Sequence, residues 1–347
     1  MTTSTKRSRI GLAVNAGLVL LAFGLLGLVI WRNRNKLGDV FGRPLDWRLF
    51  ALAQAIFLVS MLSTFVRWYL LARVVDPRFS LRAALLLGFI GNVFNMVIPG
   101  AVGGDLIKAA YLVKMHVKKT QAIASMVIDR IIGLLALFTL ATVAGALVWS
   151  TIPSEVRPLI VAAWVATGLG FLLLAAIFAQ VFTRIFPGVA HGPSRLALVV
   201  TELKEMSSTY RRRLDMVAAC GIMSLASHSL NVVAFFLVSR MLFPSLTTTL
   251  AQHFLMAPLT LFTMAVPMPF GALGLSEEVG DQLFKLVGHP SGGLAMMGFR
   301  VLMYGGALVG AIVYLTRIKE VRGLTAEAHQ IEEELGEGEL ENDGGEE

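Results

Sequence analysis

The sequence predicts an all-α, polytopic membrane protein with about six full spans and two re-entrant, broken hairpins arranged as an inverted repeat. Three observations carry this prediction. Of the 347 residues, 56% are hydrophobic and only 15% are charged, against about 25% charged in an average soluble domain. Several apolar runs reach about 20 residues, the length that crosses a ~30 Å hydrocarbon core. Two further apolar runs are each interrupted by a Pro/Gly cluster and restart on an acidic residue. Strict two-residue alternation, the mark of a membrane β-barrel, is not evident.

In chain order, Lys6, Arg7 and Arg9 precede a first apolar run over 12–30. The run is long and lacks a small-x-small cleavage site, so it reads as a retained signal-anchor helix. Further spans read at 49–70, 120–149, 157–180, 215–239 and 291–316. The first broken unit is 81–98 plus 105–116, hinged at Pro99-Gly100-Ala-Val-Gly103-Gly104-Asp105. The second is 248–266 plus 276–288, hinged at Pro267-Met-Pro269-Phe-Gly271-Ala-Leu-Gly274. Their second legs of about 12 residues make about 18 Å of helix, too short to span. Re-entrant hairpins are expected, although longer first legs that cross fully remain an alternative.

The two halves match. Repeat one is 12–149 and repeat two 157–316, within a membrane domain of 1–326. Each half has two spans, a broken hairpin and a span carrying an Arg. Asp105 precedes Arg130 by 25 positions and Glu277 precedes Arg300 by 23. Three spans per half would invert the second half relative to the first, a known transporter plan. Seventeen basic residues fall in the expected inner segments and eight in the outer ones. That bias puts both termini on the cytoplasmic side of the cell's inner membrane. The first outer loop, with Arg32, Arg34, Lys36, Arg43 and Arg48, runs against it. Residues 327–347 hold ten acidic residues and no basic one, and read as a disordered acidic tail.

Arg130 and Arg300 each lie about 14–15 Å into a span at the helical rise. A central Arg costs ~2.5–3.5 kcal/mol unless it is paired or faces water. Two readings stand near even. Each Arg forms a structural pair, Arg130 with Asp105 or Asp129 and Arg300 with Glu277 or Glu278. Or one or both receive a lipid phosphate, which the guanidinium fork suits. Asp105 and Glu277 are also candidates for carrying protons, since buried acids can have raised pKa values. Ser276 reads as an N-cap and Glu278 as a helix-dipole complement. Glu277, Asp281 and Lys285 form an i, i+4 series that reads as a solvated helix face.

Gly100, Gly103, Gly104, Gly271 and Gly274 serve tight turns or helix N-termini open to anions. Asn92 and Asn95, and the cluster Ser224, Ser227, His228 and Asn231, read as interhelical hydrogen-bonding groups. Arg211-Arg212-Arg213 reads as an anchor to anionic headgroups. The lone Cys220 excludes a disulfide within the chain. The six histidines show no metal-ligand spacing, and there is no nucleotide-binding loop. No cofactor or metal is expected.

With these residues in view, the chain resembles the flippase-like family related to the transmembrane part of lysylphosphatidylglycerol synthase. The matching features are Gly91-Asn92…Pro99-Gly100…Gly104-Asp105, Asp129-Arg130, and Pro269…Gly271-Ala-Leu-Gly274…Glu277 with Arg300. They cover about residues 10–320. The resemblance implies an integral membrane protein that moves a phospholipid or polyprenyl-linked lipid between leaflets. Its partner would be a lipid with an anionic headgroup, not nucleic acid. Asp129 stands where the family suggests Glu. No soluble aminoacyl-transfer domain is seen, so lipid aminoacylation is not expected. The substrate-binding set is then Arg130, Arg300, Asp105, Glu277, Asp129, Asn92, Gly104 and Gly274. Two other classes remain: a membrane-embedded lipid-modifying enzyme, and a non-catalytic scaffold for envelope glycolipid synthesis.

Overall fold

The computed structural model describes residues 2–97, 103–181, 204, 207–266 and 268–317, with side chains from Ala16 onward except at Val97. Pro99, Gly100, Pro267 and the acidic tail lie outside the described residues. So do residues 182–203, 205 and 206, including Arg184 and Arg195.

Among the described residues the architecture is helical throughout. Helix α1 (Thr2–Arg32) turns by 70° at Asn33 into α2 (Arg34–Phe41). Four elements follow: α3 (Trp47–Val75), α4 (Leu81–Val97), α5 (Gly103–Lys114) and α6 (Lys119–Val148). Then come α7 (Arg157–Phe178), α8 (Leu214–Leu242), α9 (Leu250–Phe262), α10 (Leu275–Lys285) and α11 (Gly292–Thr316). Helices α3, α6, α7, α8 and α11 are long and apolar enough to cross a bilayer, and the bent α1–α2 pair makes a sixth candidate. Both broken units fall where the Pro/Gly clusters place them. Helix starts follow local chemistry. Asp46 accepts from Arg48 N–H at 2.9 Å ahead of α3, Thr249 and Gln252 form a capping box on α9, and Ser291 caps α11.

Helices α3 and α8 form the centre and run antiparallel. Ser60 Oγ donates to Ser227 O at 2.8 Å, and Tyr210 Oη donates to Leu71 O at 3.1 Å, just ahead of α8. Helices α4 and α5 pair as a hairpin. Phe79 meets Tyr111 at its base, with ring centroids 6.1 Å apart, and Gly91 meets Gly104 near its tip. Helices α9 and α10 pair likewise. His253 meets Phe284 at 5.1 Å at the base, and Thr263 Oγ1 donates to Ser276 Oγ at 2.8 Å near the tip.

Each hairpin therefore returns the chain to the end of the bundle from which it came. The first hairpin does so where α3 finishes and the second where α8 finishes. Because α3 and α8 are antiparallel, the two hairpins enter from opposite ends. Large apolar side chains such as Leu147, Leu172 and Leu308 point outward, as an apolar surrounding permits.

Candidate functional site

The second hairpin turns through Phe270, Gly271 and Ala272, whose φ values are +56°, +64° and +55°, and then through Gly274 at +80°. Left-handed backbone at the non-glycine positions Phe270 and Ala272 is unfavourable, on the order of 1 kcal/mol or more each. Arg300 offsets this cost by binding the turn from inside. Its Nη1 donates to Phe270 O at 2.9 Å and to Gly271 O at 3.2 Å. Its Nε and Nη2 donate to Glu277 at 2.6 and 3.3 Å, and Glu277 in turn accepts from Gly274 N–H at 2.7 Å. The Arg300 side chain is 3% exposed and that of Glu277 0%. Helix α1 closes over the tip. Phe23 packs edge-on against Phe270, and a Cβ on Gly274 would come within 2.2 Å of Ala22 O. Gly274 thus serves a tight turn and a close helix approach. Of the two expected partners of Arg300, Glu277 is the one used. Glu278 faces Arg32 of α1 instead.

The first hairpin pairs its groups differently. Arg130 Nε donates to Asp105 Oδ2 at 2.7 Å. Lys108, one turn further along α5, donates to Asp105 Oδ1 at 3.2 Å and lies 5.3 Å over the Trp68 ring. Two cations therefore share one carboxylate. The Arg130 side chain is 40% exposed while Asp105 and Lys108 are largely covered. At the tip Asn95, not Asn92, makes the linking bond, its Oδ1 accepting from Gly104 N–H at 2.8 Å. Asn92 stands half-buried on α4. A Cβ on Gly104 would lie 2.1 Å from Gly91 O, so this glycine lets the two legs touch.

Asp129 does not pair with Arg130. It accepts a two-pronged pair from Arg67 of α3, with both contacts at 2.8 Å, and Arg67 Nη1 also donates to Ser224 Oγ of α8. Arg67 is a buried arginine that the sequence reading passed over. Its position inside the apolar run 49–70 was the available signal. Ser227 continues the polar seam by donating to Ser63 Oγ at 2.9 Å. Asp281, expected on a solvated face, is fully buried. It accepts from Ser291 Oγ at 2.8 Å and from Gly293 N–H at 3.3 Å, and pairs with Lys285 at 2.8 Å.

Two apolar cavities stand out among the described residues, the first beside Arg300 and Glu277. One, of about 380 Å³, is walled by Leu26, Val40, Trp47, Phe50 and Met297, with Arg300 and Glu277 behind them. The other, of about 290 Å³, lies between α6, α7 and α8 beside Leu135, Phe171 and Ile222. Among the described residues no group of three or more His, Cys, Asp or Glu side chains is placed to hold a metal ion.

The helices and paired charges define a multi-pass, all-α membrane protein built around two opposed helical hairpins, each fastened to a buried or half-buried arginine. A family model described as the lysylphosphatidylglycerol synthase TM region matches residues 10–310. The chain belongs to that family. No curated protein matches it.

Proposed function

We propose that the protein carries an anionic phospholipid or polyprenyl-linked lipid between the two leaflets of the cell's inner membrane, acting as a transporter and not as an enzyme. The family's name ties this fold to the membrane part of a phospholipid-modifying system. The observation that carries the reading is the exposure of the arginine at the first hairpin. Arg130 holds Asp105 while its side chain is 40% exposed. A phosphate oxygen approaching from the open side meets a guanidinium fork suited to it. Passing a headgroup along such groups lowers the cost of bringing its charge through hydrocarbon. Acyl chains would stay in lipid or enter the apolar cavities, which fall in or near the usual ~300–1,000 Å³ range of ligand pockets.

The basic end of the bundle, with Arg73, Arg78, Lys114, Lys118 and Arg211–Arg213, is assigned to the cytoplasm in this reading. The two halves then act as inverted repeats that present their hairpins from opposite leaflets. Purified protein in vesicles bearing a headgroup-labelled anionic lipid tests the reading. Arg130→Ala is expected to slow transbilayer movement at least tenfold with the protein still folded. Equal rates for wild type and Arg130→Ala would reject it, and release of a chemically altered lipid would favour an enzyme.

A further inference from the structure

The base of the second hairpin holds a cluster to which the lipid reading assigns no role. His253 sits at the start of α9 and His289 in the loop between α10 and α11, and both are buried. Their ring centroids are 5.6 Å apart with the planes at 66°. Phe236 and Phe284 enclose His253, and Phe243 and Phe284 enclose His289, with ring centroids 4.9–5.5 Å away. The Nε2 atoms of both histidines are buried without a hydrogen-bond partner.

Their other nitrogens settle which tautomer each adopts. His253 Nδ1 lies 2.9 Å from Thr249 O, so it carries the proton and donates, leaving Nε2 as an acceptor. His289 Nδ1 accepts from Ser291 N–H at 3.1 Å, so its proton is on Nε2, a donor. One acceptor and one donor thus occupy the same apolar box. A direct N–H···N bond after a small shift, or one bridging water, satisfies both.

We propose that His253 and His289 form a proton-operated latch that holds the 286–291 loop against α9 while both rings are neutral and releases it when either is protonated. Protonation of His253 at Nε2 sets it against the His289 Nε2–H, and protonation of His289 at Nδ1 sets it against the Ser291 N–H; either way two N–H donors face each other and a positive charge enters among phenylalanines. Charges nearby relieve it only in part. Asp281 is already neutralised by Lys285 and bound to Ser291 and Gly293, while Lys36 Nζ donates to Pro290 O and adds a second positive charge beside the loop. Burial first, then the neighbouring His253 ring, pushes His289 down to about 3. The open loop exposes the ring to solvent, where a histidine titrates near 6.5. The closed loop is therefore fully favoured above about pH 6.5 and is lost progressively as pH falls below that value, by up to about tenfold per pH unit for each histidine that opens.

The latch matters for the hairpin because Ser291 links the parts that move. It caps α11, which carries Arg300, and bonds Asp281 of α10, which carries Glu277 one turn earlier. Under the orientation proposed above this end faces the extracytoplasmic medium, and that clause alone rests on the lipid-transport reading.

Hydrogen exchange on the purified full chain tests the latch without any lipid movement. The amides of Val287, Gly288 and His289 bond to Phe284 O or Lys285 O. Their protection, corrected for the intrinsic exchange rate, is expected to fall at least tenfold between pH 7 and pH 5. It is expected to stay flat in the His253→Gln/His289→Gln double variant. Constant protection in wild type, or the same fall in the double variant, overturns the proposal. Nitrogen-15 spectra of the wild-type histidines at pH 7 give an independent check should the variant fail to fold. Opposite tautomers are expected, and identical ones overturn it.

Discussion

The two hairpins answer one problem in two ways. Each must hold an arginine and a carboxylate in an apolar setting. The second hairpin closes the pair off: Arg300 and Glu277 are sealed, matched one to one, and spend their remaining hydrogen bonds on the turn itself. The first hairpin leaves its pair half open, with Lys108 and Arg130 both on Asp105. A sealed pair is an architectural device, since desolvation offsets much of the attraction and only complete hydrogen bonding makes it tolerable. An exposed pair is reached by solvent and its desolvation costs less. The difference teaches that matched motifs in the two halves need not do matched work.

The sharpest way to break this comparison is to remove one member of each pair and measure unfolding. Arg300→Ala leaves Glu277 buried and unpaired and releases two tip carbonyls, for an expected loss of about 3–5 kcal/mol in detergent unfolding. Arg130→Ala is expected to cost less than half of that, because Lys108 still faces Asp105 and solvent reaches the site. Equal losses would erase the distinction between a structural and a working arginine.

Next in size is Gly104→Ala, which must push α4 and α5 apart where a Cβ would meet Gly91 O. An expected ~1–3 kcal/mol of destabilisation should come with faster hydrogen exchange in α4 and α5 and an undisturbed second hairpin. The smallest effect belongs to the turn after α3. A hydrogen bond from the exposed Arg78 side chain holds the Asp76 carboxyl below its ordinary value. The stability this contributes is present above the usual carboxylate pKa and fades as pH falls through the lowered one. Asp76→Asn should therefore lower stability slightly at neutral pH and flatten the acid limb of the unfolding profile, the two profiles converging at low pH.

The first loop shows how charge counting and structure part company. Its five basic residues oppose the inside-positive bias of the rest of the chain. The structure ties three of them to other parts of the same chain. Arg32 pairs with Glu278, Lys36 donates to Pro290 O, and Arg43 donates to Leu242 O at the C-terminal end of α8. A cation on a helix's terminal carbonyl satisfies an acceptor that the helix leaves unpaired. Such residues add to a loop's charge count while serving packing.

Much of the fold was legible beforehand because it depends on local rules. Apolar run length marks the spans, and Pro/Gly clusters mark where runs break. Caps were less legible: Asp46, Thr249 and Ser291 emerged only in the structure, and Ser276, expected to cap α10, lies inside it behind Gly274. The pairs Arg130–Asp105 and Arg300–Glu277 were also within reach, since each joins a hairpin to the next span, a short path along the chain. Asp129 was harder, because its partner Arg67 lies 62 positions away on a helix that meets α6 only in the packed bundle. Asp281 was misjudged, and the contact between the two histidines was not anticipated. An i, i+4 charge series looks solvated until another segment covers it, and histidines 36 positions apart look scattered until a loop folds one onto the other.

The sequence by itself determined that the chain lives in a membrane, roughly where its long helices lie, and that two of its apolar units break midway. These follow from the need of every backbone amide to bond within its own helix in lipid and from the cost of interrupting that pattern. Only the tertiary structure decided which arginine is sealed and which stays open, because burial belongs to whatever packs on top. Here α1 lies across the second tip, and no local property of that tip could announce it.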